Sequence, residues 1–155
     1  MLRRTYDSQV CSIARALELV GERWSLLVIR DAFLGKRRFD EFQESLGIAS
    51  NVLSDRLRRL VEAGILERVR YQEHPERFEY RLTDQGRELN TALVALLHWG
   101  DRYLAPSGPP RIVEHAGCGG DVVAQLVCAK CGKELASREI HSLPGPGARP
   151  QATAA

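Results

Sequence analysis

The chain has 155 residues and a formal net charge of +2 at pH 7. Its 44% hydrophobic and 27% charged residues are typical of a globular protein and exclude a fibrous, collagen-like or wholly disordered chain. The apolar run at 24–29 is broken by Arg30, and charged residues occupy the N-terminal region where a signal peptide is apolar. We therefore expect no membrane span and a cytoplasmic location. So small a net charge does not by itself indicate a nucleic-acid partner.

The composition changes at Pro106. Residues 1–105 contain six Gly and one Pro, whereas residues 106–155 contain seven Gly and six Pro. Turn-forming residues at this density indicate a boundary. We predict a domain at 1–105, a linker at 106–110, a small module at 111–143 and a disordered tail at 144–155. We find no internal repeat of useful length.

Apolar residues at helical spacing predict four helices in the first part. The first carries Val10, Ile13, Leu17 and Val20, with a cap at Asp7 or Ser8 and an end at Gly21. The second, at 24–34, is apolar nearly all round, which is typical of a central buried helix. The third, at 39–46, and the fourth, from about 50 to 63, are joined by a tight turn. Two helices joined in this way predict a helix-turn-helix.

Two β-rich segments, 65–71 and 78–82, follow as a hairpin, and one long last helix begins at 83–86. The expected fold class is mainly α with a small β-hairpin wing (α+β). The last helix carries more apolar surface than one small core needs, so we expect a partner subunit. The aromatic residues predicted to lie in the core are Trp24, Phe39, Phe42 and Trp99.

The element order is that of a winged helix-turn-helix, and the motifs resemble those of one family from Cys11 to Gly100. The matching segments are 14–17 (ARAL), 21–24 (GERW), 35–42 (GKRRFDEF), 53–57 (LSDRL), 63–68 (AGILER), 80–86 (YRLTDQG) and 99–100 (WG), with Cys11 and Pro75. They resemble the HxlR-type winged-helix transcriptional regulators, relatives of the MarR group. One departure is Ala49, where the family often has Ser or Thr, so we expect Ser50 to cap instead. The resemblance implies a homodimer that binds an inverted-repeat operator.

Cations and exposed polar side chains around this helix-turn-helix predict contacts with double-stranded DNA. Basic residues supply phosphate contacts, and side chains on the fourth helix read base edges in the major groove. Asp55 is the weakest base reader, since it can pair with Arg58 or Arg59 instead. The candidate DNA-binding residues are Lys36, Arg37, Arg38, Ser50, Asn51, Ser54, Asp55, Arg58, Arg59 and, in the wing, Arg77.

Cys11 has two interpretations. If Ser8 caps the first helix, Cys11 lies in the first turn, where the helix dipole and Arg15 favour the thiolate and a redox-sensing role. The resemblance also allows this role, since some members of the family are thought to sense oxidants through a cysteine here. The alternative is a thiol packed at a dimer contact. A small-molecule effector is a further expectation.

The tail contains two pairs of metal-ligand residues, His115 with Cys118 and Cys128 with Cys131, separated by nine residues. Two residues between ligands let both side chains of a tight turn reach one ion, and the four ligands are those that structural zinc prefers. We predict structural zinc, with a hairpin through 122–127 bringing the turns together. His141 is the substitute for His115. A redox dithiol at Cys128 and Cys131 and a metal-sensing site are the alternatives.

No nucleotide-binding loop, paired carboxylates in a cleft or nucleophile triad is evident, so we predict that the chain is not an enzyme. The predicted function is sequence-specific transcriptional regulation, with redox or ligand responsiveness as an open question. The alternative is a winged helix that serves as a protein-interaction module with a structural zinc knob and no specific DNA site.

Overall fold

A computed structural model describes residue 6 and residues 10–148. It contains helices and one small antiparallel hairpin, the architecture of a winged helix-turn-helix. The elements are α1 Ser12–Val20, α2 Ser25–Phe33, α3 Phe39–Leu46, α4 Ser50–Glu62, β1 Leu66–Gln72, β2 Arg77–Leu82, α5 Asp84–Glu88, α6 Asn90–Leu104 and a 3₁₀ turn Ser137–Glu139. Within these residues, no helix combines the length and apolar character needed to cross a membrane.

The core lies around α2, as the sequence predicts. Val28 and Ile29 of α2 are fully buried against Phe42 of α3 and against Leu53 and Leu57 of α4. Burial of each such side chain contributes about 1.5–3 kcal/mol to folding. This cluster fixes the angle at which α4 is presented, because the buried leucines occupy one side of that helix.

The turn between α3 and α4 also forms as predicted. Gly47 adopts a left-handed conformation with φ 61° and ψ 31°, which ends α3. Ala49 occupies the N-cap of α4, and Ser50 is the first helical residue. The expectation that Ser50 caps the helix is therefore wrong by one position.

The hairpin confirms the predicted wing, with ends shifted by a residue. Leu66 pairs with Leu82 and Arg68 with Tyr80, and the register shifts between Arg70 and Gln72. Thr83 then caps α5 by accepting a hydrogen bond from the Gly86 amide at 3.0 Å.

The long last helix is in fact two helices, α5 and α6, that meet at Leu89. Val94 is the buried residue of α6, whereas Trp99 is 56% exposed. The assignment of Trp99 to the core is therefore wrong. The helical spacing of apolar residues did not identify which face meets the rest of the chain.

Helix α1 presents a similar difference. It begins at Ser12, and the predicted cap residues Asp7 and Ser8 lie outside the described residues. Ile13 is 71% exposed, and the buried residues of α1 are Ala14 and Val20. Val10, Ile13 and Leu17 of the predicted apolar stripe therefore face outward, whereas its last residue, Val20, reaches the core.

The tail beyond Leu104 has a different character. From 106 to 148 no residue is buried, and the 3₁₀ turn is the one regular element of that range. The predicted hairpin through 122–127 does not form. Two tight turns, each closed by an isolated β-bridge, occupy the region instead. Residues 149–155 of the predicted disordered tail lie outside the described residues.

Candidate nucleic-acid interface

The outer face of α4 carries a line of polar side chains. Asn51, Ser54 and Arg58 are exposed and lie three and four residues apart, so they follow one side of the helix. Leu53, Leu57 and Leu60 are fully buried on the opposite side. The remaining predicted residues of this helix, Ser50 and Arg59, are also exposed, and Asp55 is half-buried.

Asp55 lies at the centre of the charges on this helix. Its carboxylate accepts hydrogen bonds or ion pairs from Arg58 at 2.6 Å, Arg59 at 3.0 Å and Arg56 at 3.2 Å. The hydrogen bond from Arg58 is the main reason that the pKa of Asp55 lies below its ordinary value. Arg58 also bonds Glu62 at 2.7 Å. Asp55 therefore holds arginines in place rather than presenting a free carboxylate to a base.

The basic run 36–38 is held between α3 and the wing. The Glu41 carboxylate accepts hydrogen bonds from the backbone amides of Arg37 at 2.8 Å and Arg38 at 2.9 Å. These two bonds lower the pKa of Glu41. The Tyr80 amide donates to the Arg37 carbonyl at 2.7 Å, and Arg38 forms a β-bridge with Glu79. The side chains of Arg37 and Arg38 remain exposed, and that of Lys36 is half-buried.

The wing meets this run at a cleft of about 380 Å³. The guanidinium of Arg38 lies 4.7 Å from the centre of the Tyr71 ring, on one side of the cleft. Arg77 lines the same cleft and is exposed, and within the described range it forms no ion pair. The acidic tip residues Glu73 and Glu76 both pair with Arg70, at 3.6 and 3.5 Å. Among the described residues, Arg77 is thus a wing cation without an ion pair, and so is Arg68, whose guanidinium lies 3.4 Å from the centre of the Phe78 ring.

Three residues that organise this surface had no predicted role: Glu41, Tyr71 and Glu79. Glu41 occupies the position of a capping-box glutamate. The N-cap residue is Arg38 rather than the Ser or Thr of that motif, so the sequence does not show the capping box. Tyr71 and Glu79 act through contacts between the wing and the α3 entry. No local sequence signal reports such contacts.

Cys11 is half-buried and occupies the N-cap of α1. The expectation that it lies within the first turn is therefore wrong, because the helix starts one residue after it. Its side chain makes no capping hydrogen bond.

The four predicted metal ligands lie in the two tail turns. In the first turn, His115 Nδ1 lies 3.1 Å from Cys118 Sγ, so the two side chains of this turn point to the same place. In the second turn, the backbone amide of Cys131 and, to a smaller extent, that of Lys130 donate to Cys128 Sγ, which lowers the pKa of Cys128. Between 10 and 148, no group of three or more His, Cys, Asp or Glu side chains is arranged to hold one ion. The structure therefore pairs the ligands within each turn but not across the two turns.

An apolar cavity of about 610 Å³ lies between α2, α6 and the start of the tail. Leucines of both helices line it, together with Phe33. Arg23 and Arg111 supply positive charge at its wall, whereas Arg30 is paired with the buried Asp31 at 2.7 Å. Its volume is within the range of small-molecule sites.

Comparison with known proteins decides the family. The HxlR-like helix-turn-helix family matches residues 19–108. The chain belongs to the HxlR-like helix-turn-helix family. This confirms the resemblance: the HxlR-like protein is a transcriptional regulator with a DNA-binding helix-turn-helix, and it is not an enzyme.

Individual relatives agree. An uncharacterised HTH-type transcriptional regulator of Mycobacterium tuberculosis is 52% identical over 137 residues, which are 88% of this chain and 87% of the relative. The crystal structure of a candidate transcription factor, PA1607, superposes with a TM-score of 0.80 at 41% identity and covers 90% of this chain and 98% of its own. The redox regulator HypR, in its oxidised form, gives a TM-score of 0.55 at 31% identity, with 59% of this chain and 96% of HypR covered.

The first of these matches also extends beyond the winged helix. A match of 137 residues is longer than the 1–105 domain, so it includes part of the tail. Part of the tail is therefore shared between this HxlR-like protein and that relative.

Proposed function

We propose that this HxlR-like regulator binds DNA sequence-specifically, as a homodimer, at an inverted-repeat operator. The observation that carries the proposal is the polar outer face of α4, where Asn51, Ser54 and Arg58 lie in line above a fully buried leucine face. Such a helix enters the major groove with its side chains toward the base edges.

On this proposal, the roles divide by chemistry. Asn51 reads adenine and Arg59 reads guanine, each bidentate contact contributing about 1–3 kcal/mol of discrimination. Arg37, Arg38 and Arg77 contact phosphates from the two sides of the cleft between α3 and the wing. These contacts set affinity and register but not sequence choice.

The homodimer is supported by exposed apolar residues on the first and last helices. On α1, Ile13 is 71% exposed, and on α6, Trp99 is 56% and Tyr103 62% exposed. Apolar residues of this size left uncovered are typical of a contact surface. A dimer through these helices would place two copies of α4 about 34–36 Å apart, one helical turn of DNA.

The test is selection of genomic fragments by the purified protein, followed by alanine variants on the recovered site. We expect an inverted repeat, and we expect Asn51→Ala and Arg59→Ala to lose preference for it over random duplex. Arg77→Ala should weaken binding to both DNAs equally. Arg87→Ala, which removes the same charge from α5, is the control.

If the triple alanine variant at Asn51, Arg58 and Arg59 regulates normally, the sequence-specific reading of DNA is wrong. That result would favour the interaction-module alternative, in which α4 has no DNA to contact.

The effector has two candidate sites. Similarity to the redox regulator HypR supports oxidant sensing through Cys11, which is half-buried rather than sealed in the core. The leucine-lined cavity, with Arg23 and Arg111 at its wall, suits an apolar anion. Alkylation of native protein by iodoacetamide tests the first site: Cys11 reacting no faster than a free thiol ends the redox proposal. Binding of an anilinonaphthalene sulfonate probe tests the second site. Phe33→Trp, which fills part of the cavity, should weaken probe binding, and Arg77→Ala, outside the cavity, should leave it unchanged.

A further inference from the structure

The two turns of the tail are copies of one structure, thirteen residues apart. In the first, the His115 amide donates to the Gly120 carbonyl at 2.8 Å, and the Gly119 amide donates back to the His115 carbonyl at 2.8 Å. Gly119 has φ +72°. Glu114 and Asp121 close the turn as a β-bridge.

The second turn repeats each of these features. The Cys128 amide donates to the Lys133 carbonyl at 2.9 Å, and the Gly132 amide to the Cys128 carbonyl at 2.8 Å. Gly132 has the same φ of +72°. Val127 and Glu134 form the closing bridge. The segments 115–120 and 128–133 share Ala, Cys and Gly at three of six positions, a match too short to indicate a repeat from sequence.

The third residue of each turn differs, and the difference matches the size of the metal-ligand side chain that begins the turn. A Cβ at Gly117 would lie 3.0 Å from the imidazole of His115, so the glycine leaves room for the ring to fold over the turn. The equivalent position in the second turn is Lys130, where the smaller Cys128 needs no such space. In a tetrahedral zinc site the imidazole nitrogen and the sulfur lie about 3.6 Å apart. His115 Nδ1 and Cys118 Sγ are 3.1 Å apart, and a rotation of either side chain would bring them to that distance.

We propose that the two turns close on a single zinc ion held by His115, Cys118, Cys128 and Cys131. Three thiolates and one imidazole match the tetrahedral preference of structural zinc, and ion binding releases the three thiol protons. All four positions are filled by protein, so the role is structural. The zinc proposal does not depend on the proposed DNA binding, and either one can be wrong while the other is right.

The segment between the turns allows this closure. Val123 is 60% exposed, and Leu126 and Val127 are each 56% exposed, so these three residues are not packed into a core between the turns. No residue from 106 to 148 is buried, so the tail has no core of its own to order it. Small modules of this kind depend on a metal or a disulfide for a defined structure.

The first experiment is elemental analysis of the full chain purified without added metal. We expect one zinc per chain, and we expect His115→Ala, Cys118→Ser, Cys128→Ser and Cys131→Ser each to lose at least nine-tenths of it. Cys11→Ser and His141→Ala are the matched controls and should retain the full content. Zinc retained by His115→Ala but lost by His141→Ala would overturn the ligand set.

A second measurement uses the unaltered chain, so it does not depend on a variant folding. With zinc bound, a thiol reagent should modify one cysteine, Cys11, and a mercurial should release one zinc as the other three react. Replacement by Co²⁺ should give the strong visible bands of a tetrahedral thiolate site. Four freely reactive thiols, or a zinc-free chain with a Cys128–Cys131 disulfide, would overturn the proposal.

Discussion

Two carboxylates organise the arginines of the candidate DNA surface. Asp55 joins three arginines of α4, and Glu41 fixes the backbone of Arg37 and Arg38. Exposed ion pairs add little to stability, typically about 0–1 kcal/mol. Their consequence is positional: the arginines are held near one another before DNA arrives, and phosphates must compete with a carboxylate for them.

Asp55→Asn should therefore bind random duplex DNA several-fold more tightly than the unaltered protein. The change removes a negative charge and frees Arg58 for a phosphate, so the dependence of log affinity on log salt should steepen by about one. Fluorescence anisotropy over a salt series measures both. Glu88→Gln makes the same charge change on α5 and should leave the slope unchanged; an unaltered slope in Asp55→Asn would contradict the role given to Asp55.

Glu41 gives a pH dependence of stability. Because its pKa in the folded protein lies below the ordinary 4.5, the folded state binds the Glu41 proton less readily than the unfolded state does. Its stabilising contribution is complete above that ordinary value and is lost as the pH falls through the folded pKa. Glu41→Gln should show a smaller fall in the free energy of unfolding over this interval, measured by urea denaturation.

Glu44→Gln is the control for that experiment, since Glu44 is an exposed residue of the same helix. If both variants follow the unaltered protein with the same acid dependence, the two backbone hydrogen bonds to Glu41 contribute nothing measurable.

At the scale of elements, the most predictable part is α2 to α4. Their apolar spacing, the left-handed Gly47 and the buried leucines of α4 are all local consequences of sequence. The last helix is less predictable, because its break at Leu89 follows from the docking of α5 against the start of the wing. Gly86 shows this directly: a Cβ there would lie 2.2 Å from the Ile65 carbonyl oxygen.

Gly86→Ala should lower the free energy of unfolding by about 1–3 kcal/mol, the usual cost of overpacking a tight site. The added methyl group must displace either the Ile65 carbonyl or α5, and both are held by the Thr83 cap. Urea denaturation monitored by circular dichroism measures the effect. Glu88→Ala, on the exposed side of the same short helix, should change stability by less than about 0.5 kcal/mol. Equal stabilities would show that the contact is easily relieved.

At the scale of the whole molecule, the outward apolar faces of α1 and α6 are the main unexplained surface of the single chain. Burying them against a second copy removes Ile13, Trp99 and Tyr103 from water, and this supports the proposed dimer. The tail is the second such region, since its apolar residues are exposed while the two turns lie apart.

Trp99→Glu and Ile13→Glu should convert the dimer to a monomer in sedimentation equilibrium, because a charge would have to be buried at the contact. Affinity for a two-half-site duplex should fall by about a hundredfold, the effect of losing a tethered second site. Leu143→Glu adds the same charge at another exposed apolar residue and should remain dimeric. A monomeric unaltered protein would contradict the proposal at once.

The sequence by itself determined the helix-turn-helix, the wing, the polar face of α4 and the pairing of ligands within each tail turn. Each depends on residues near one another in the chain, through helical spacing, strand alternation or turn chemistry. Tertiary structure alone decided that Trp99 and Ile13 face outward and that Asp55 joins three arginines. It also decided that the backbone at Arg37 and Arg38 pairs with the wing. It also decided that the two tail turns share one backbone structure. These features depend on which surfaces meet, and hydrophobic spacing gives the direction of a face but not its partner.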